Sequence, residues 1–133
     1  MRTCLFLMFL VVAAGCKKEA LNDQAEKKVV GKWLFVRSQG GFTGKDIVLP
    51  APGITTYLVL HTDLTYQVIQ NGITQKQGKY ATALQKSNLY GTVKPTIQYD
   101  SDIFFKTYQA AGDSLTIDDD HVEGYSTLYI KKN

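Results

Sequence analysis

Few residues in this 133-residue chain have types and spacings that could do chemistry. The densest group is Asp118-Asp119-Asp120-His121-Val122-Glu123, a run of carboxylates that could hold Ca²⁺ through oxygen ligands. It lacks the alternate-position spacing and the glycine of an EF-hand loop. The competing reading is a solvated turn whose aspartates favour turn geometry. His61 and His121 are the 2 histidines, and no third histidine or cysteine supports a metal site built on them. Asp100 and Asp102 stand two apart, a placement common without any catalytic role. No serine sits in a nucleophile elbow, and no glycine pattern would cradle a phosphate. The chain is therefore expected to be neither an enzyme nor dependent on a metal or cofactor.

The remaining reactive group is a thiol. Met1-Arg2-Thr3 supplies a positive charge, Cys4 to Val12 is an apolar run, and Ala13-Ala14-Gly15 places small residues directly before Cys16. This is the build of a signal peptide over residues 1–15, with an apolar run too short to anchor as a membrane span. Ala13-Ala14-Gly15-Cys16 resembles the bacterial lipobox, with Ala13 where that motif usually carries Leu, Val or Ile. The resemblance implies that Cys16 receives a diacylglyceryl group and becomes the first residue of the mature chain. Two or three acyl chains, at about 0.8 kcal/mol per buried methylene, would hold it on a membrane almost permanently. The alternative is an ordinary cleaved signal followed by a chance cysteine. With Cys4 removed and Cys16 lipidated, no thiol is left for a disulfide, a metal or a nucleophile.

Residues 16–30 read as the lipidated cysteine and a polar tether. Ala20 to Val30 could form a short helix, with Leu21, Ala25 and Val29 on one face. Lys17 and Lys18 suit a solvated spacer near anionic headgroups. The formal net charge of +3 gives no reason to invoke nucleic acid. In lipoproteins of the Bacteroidota kind, which this leader resembles, surface export is often associated with acidic residues after the cysteine. Here there is only Glu19. The expected location is the outer membrane facing the periplasm, with surface exposure the other possibility.

From Gly31 to Asn133 the chain reads as one all-β domain of eight or nine short strands. Lys32 to Arg37 alternates, with Trp33 and Phe35 on one face. Gln39 to Gly53 is a glycine- and proline-rich loop with an apolar insert, Ile47-Val48-Leu49. Strands follow at Ile54–Leu60 and Thr65–Gln70, and Asn71-Gly72 is the dipeptide of a type I′ hairpin. Ile73–Gln77 and Gly78–Ala83 continue the meander, and Pro95 marks an edge, a bulge or a break in Val93–Tyr99. Ile103–Gln109, Ser114–Ile117 and Tyr125–Lys131 close the series. Sequential hairpins favour an antiparallel up-and-down barrel of eight strands, because closure removes exposed edges.

Gly31-Lys32-Trp33 before an apolar strand resembles the G-x-W signature of lipocalins. With the lipobox, the charged leader, the His61-to-Tyr66 hairpin and Gly78-Lys79-Tyr80, the chain resembles the lipocalin-like lipoproteins of Bacteroidota. Leu64 stands where that hairpin usually has glycine. The resemblance implies a barrel with an end closed by Trp33 beneath a basic residue of the last strand, here Lys131 or Lys132. It also implies that the loop after the first strand covers the mouth of any cavity. Phe42, Ile47, Val48, Leu49, Tyr57, Tyr66 and Phe105 are then the expected contacts for a small hydrophobic or amphipathic ligand. The expected protein is a monomeric, membrane-anchored envelope lipoprotein that binds such a ligand. The other reading is a filled barrel that serves as a structural or protein- and glycan-interaction module.

Overall fold

The computed structural model describes residues 25–133. The signal segment, Cys16 and the first part of the tether lie outside the described residues. Residues 25–29 are helical, and every later element is a strand. These are β1 (Gly31–Gly40), β2 (Asp46–Val48), β3 (Thr56–Leu60), β4 (Thr65–Gln70), β5 (Ile73–Lys86), β6 (Val93–Tyr99), β7 (Lys106–Ala111), β8 (Ser114–Asp119) and β9 (Tyr125–Lys132).

The sheet runs β2-β1-β3-β4-β5-β6-β7-β8-β9, all antiparallel, and β1 also pairs with β9 from Lys32↔Lys132 to Gly40↔Tyr125. That last pairing closes β1 and β3 to β9 into an up-and-down barrel of eight strands, the architecture expected from the hairpin pattern. β2 stays outside the ring, against Ser38 to Gly40 of β1. A bulge at Val36 shifts the β1–β9 register between Phe35 and Arg37. It keeps Trp33, Phe35 and then Ser38 on the inward face, where a strict two-residue repeat would turn Ser38 outward.

Three boundaries differ from the sequence reading. Ile73–Gln77 and Gly78–Ala83 are one continuous strand, β5, of 14 residues. Gly78 does not break it, because the missing side chain makes room for the Asp100 carboxylate. That carboxylate accepts the Lys79 N–H at 2.9 Å. Ile47-Val48 is a short strand rather than loop. Ile103 to Phe105 lie outside β7, which begins at Lys106.

The turns follow residue chemistry. Asn71 and Gly72 have φ of 49° and 81°, as a type I′ turn requires. The Asn71 side chain accepts the Thr55 N–H at 2.8 Å and donates to the Gly53 carbonyl at 3.2 Å, tying the β2–β3 loop to the hairpin tip. Leu64 has φ 64°, a left-handed conformation that costs a non-glycine residue about 1–2 kcal/mol. The β6–β7 ladder is the shortest seam of the ring, only Thr96↔Thr107 and Ile97↔Lys106. It starts just after Pro95, which has no N–H to donate.

Candidate functional site: a closed end, an open rim and a side cavity

The barrel ends differ. At the end where β1 begins, the helical segment lies over the core: Val29 is fully buried and Ala25 packs against the buried cluster. Trp33 is also fully buried, and its indole N–H donates to the Val29 carbonyl at 2.7 Å. This satisfies one carbonyl that the helix end would otherwise leave without a partner. The Lys131 ammonium lies 5.5 Å from the Trp33 ring centroid. Gly31 joins helix to strand with φ 147°, and a side chain there would meet Lys131 Cε at 3.2 Å. The glycine, the tryptophan and the lysine are thus three parts of one plug.

The middle of the barrel is filled by aliphatic side chains and aromatic rings together. Tyr66 and Tyr99 lie 4.6 Å apart between centroids, and Phe35 meets Tyr129 edge-on at 6.1 Å. The Tyr66 hydroxyl bonds Ser101 at 3.3 Å, and Tyr80 donates to the His61 carbonyl at 2.8 Å. Burial, then Glu26 and Asp63, push the Tyr80 hydroxyl up to about 12. Burial, with Asp119 nearby, pushes Tyr129 up to about 12, and burial raises Tyr99 well above its ordinary value. These phenols stay neutral at physiological pH and pack as apolar rings with hydrogen-bonding tips.

The opposite end, where β1 finishes and β9 begins, is rimmed by exposed apolar residues. Phe42, Ile47, Val48 and Leu49 come from the β1–β3 connection, Ile73 from the β4–β5 hairpin, Ile103 and Phe104 from the β6–β7 loop, and Val122 from the last turn. Phe42 is 84% exposed and Ile103 85%. Inside this rim, Lys106 and Asp119 form an ion pair, and Asp119 accepts the Tyr125 N–H at 3.0 Å. Burial acts to raise the Asp119 carboxyl, but Lys106 and the Tyr125 N–H outweigh it and hold the group below its ordinary range. A cavity of about 310 Å³ lies beside this pair, walled by Ser101 to Lys106 and Asp119 to His121.

The acidic turn is occupied by structural bonds. Asp120 accepts from the Ser87 hydroxyl, the Asn88 N–H at 2.6 Å and the Leu89 N–H at 3.3 Å, tying the β5–β6 tip to the end of β8. Burial again opposes its ionisation, but these donors win and hold the carboxyl low. Among the described residues, no group of three or more His, Cys, Asp or Glu side chains could hold a metal ion.

The residues expected around a ligand are not brought together. Phe42, Ile47, Val48 and Leu49 are exposed on the rim. Tyr66 is buried in the aromatic core, and Phe105 lines the rim cavity. Tyr57, expected on a cavity wall, stands on the outer face of β3, with the Lys32 ammonium 4.3 Å from its ring centroid. The reason is parity: Leu58 and Leu60 turn inward to the core, so the residue between Thr56 and Leu58 must turn outward.

A larger cavity, about 410 Å³, opens elsewhere, where β6 parts from β7 next to the helical segment. Ala25, Leu84, Pro95, Tyr108 and Ala110 supply apolar wall, and Lys28 and Lys94 supply the charge. Tyr108 is 5% exposed, and its hydroxyl is buried without a hydrogen-bond partner. Burial, then Glu26 and Tyr80, push that hydroxyl up to about 12. Sequence reasoning missed this place because its walls come from a tether, a splayed hairpin and a strand far apart in the chain. Pro95 was the available signal. Comparison of the chain with known protein families, with curated proteins and with solved structures finds no match.

Proposed function

We propose that this protein is a monomeric, membrane-anchored lipoprotein of the cell envelope whose barrel binds a small amphipathic molecule, and that it is not an enzyme. The observation that carries the binding reading is the 410 Å³ cavity beside the helical segment. It falls within the roughly 300–1,000 Å³ usual for small-molecule sites, and its wall is mainly apolar with a few polar groups. Anchorage rests on the lipobox resemblance at Cys16.

Native mass spectrometry of material from its own envelope, with displacement of a fluorescent lipid probe, tests the binding reading. Ala110→Trp, which fills the cavity, should abolish both a co-purifying molecule and probe binding. Absence of both in the wild type would refute it. Palmitate labelling tests the anchor, and equal labelling of the wild type and Cys16→Ala would refute that part. The open rim favours a second reading, a module that presents apolar loop tips to a protein or glycan partner. Rim substitutions that abolish partner capture while leaving probe binding intact would select it.

A further inference from the structure

The side cavity carries more chemistry than apolar walls alone. Lys28 from the helical segment and Lys94 from β6 both line it. Among the described residues, the only ion pair is Lys106–Asp119, and neither cavity lysine pairs with a described carboxylate. The Lys94 ammonium instead lies 3.8 Å from the Tyr90 ring centroid, a contact that leaves its charge uncompensated. Glu26 is the nearby opposing charge. It accepts from the Thr82 hydroxyl at 3.3 Å and does not line the cavity, whereas both lysines do.

Resting on the binding reading above, we infer that the ligand is an amphipath with an anionic head, a carboxylate or a phosphate. Its head lies between Lys28 and Lys94, and its apolar body runs along Leu84, Pro95 and Ala110. A charge-assisted hydrogen bond is about twice as strong as a neutral one, so the head group decides selection among chains of equal length. Because Lys28 belongs to the segment joining tether to barrel, the bound head also fastens that segment to β6. Ligand binding therefore adds to the seating that Val29 and Trp33 already provide.

The test uses the full chain in nanodiscs, with empty discs to subtract partition into the bilayer, and a dansyl-undecanoate probe. Dodecanoate and dodecyl phosphate separate the two head groups, and dodecanol supplies the same chain without charge. Dodecanoate or dodecyl phosphate should displace the probe at a concentration roughly tenfold or more below dodecanol. The double variant Lys28→Gln, Lys94→Gln should erase that preference and leave dodecanol unchanged. Equal displacement by dodecanol and the acids in the wild type, or an undiminished preference in the double variant, overturns the head-group assignment while the cavity stands. Unchanged displacement by all three ligands in Ala110→Trp overturns the cavity itself. Thermal melting of each variant guards against misfolding, and Lys28→Arg, Lys94→Arg should restore the preference.

Discussion

The two ends of the barrel use apolar residues in opposite ways. At the closed end, Val29, Trp33 and Leu60 are buried, and the Trp33 indole donates to the Val29 carbonyl at the helix terminus. At the open end, Phe42, Ile47, Val48, Leu49, Ile103 and Phe104 stand in solvent. Burial of the first set stabilises the fold at about 25 cal/mol per Å² of apolar surface, and the second set contributes little to it. Those rim residues can therefore be changed with little effect on the core. The contrast separates residues that specify the barrel from residues available for function.

The sharpest way to break that contrast is at the plug. Trp33→Ala should lower unfolding free energy by about 3–5 kcal/mol, because it removes a large buried ring and leaves the Val29 carbonyl without its donor. Denaturant titration measures this. A midpoint equal to that of the wild type would mean that the closed end is not where the fold is held.

The next effect concerns the link between the two sides. Asp120→Ala removes the acceptor for Ser87, Asn88 and Leu89 and should cost about 2–3 kcal/mol, since bonds to a charged group contribute about 1.5–3 kcal/mol. The same group gives a pH dependence. Asp119 and Asp120 both have folded-state values below the ordinary 3.8, so the folded state binds fewer protons than the unfolded chain in that range. Stability is then complete above the unfolded value and is lost as pH falls through the folded ones. Acid titration followed by circular dichroism should show unfolding that steepens below about pH 4. Asp120→Ala should flatten that slope, and an acid profile identical to the wild type would refute the clamp.

The closed end was foreseen through a resemblance, the G-x-W of Gly31 to Trp33, which carries its own long-range partner in the last strand. Gly31, Trp33 and Lys131 are each required by a close approach, and the glycine has both a positive φ and a neighbour at 3.2 Å. Asn71-Gly72 announces its turn because both residues need positive φ. The side cavity was not legible. Lys28, Lys94 and Tyr108 lie on separate elements, and they converge only because the β6–β7 ladder is two pairs long. The acidic run Asp118–Asp120 resembled a metal site for a similar reason. Its partners, Ser87 and Lys106, are 33 and 13 residues away, and no pattern in the chain records those bonds. The inward turn of Ser38 also escaped, because a bulge at Val36 changes parity without changing composition.

Leu64 offers a smaller test. It stands 36% exposed with φ 64°, so it loses little burial on truncation and carries strain. Leu64→Gly should stabilise by about 1 kcal/mol, the relief of left-handed strain offset in part by glycine's greater freedom in the unfolded chain. Denaturant midpoints decide it, and a loss of stability would show that the exposed leucine makes a packing contribution larger than its strain.

The smallest expected effect on stability is also the one that bears on function. Phe42→Ser with Ile103→Ser changes two of the most exposed side chains on the rim. Surface substitutions away from packed features usually stay within about 0.5 kcal/mol, so the double variant should unfold at the wild-type midpoint. A loss near that of Trp33→Ala would erase the distinction between the two ends and make the rim part of the core. If the midpoint holds, the variant becomes a clean probe. Probe binding at the side cavity should be unchanged, since neither residue lines it. Any change in partner capture would then belong to the rim alone.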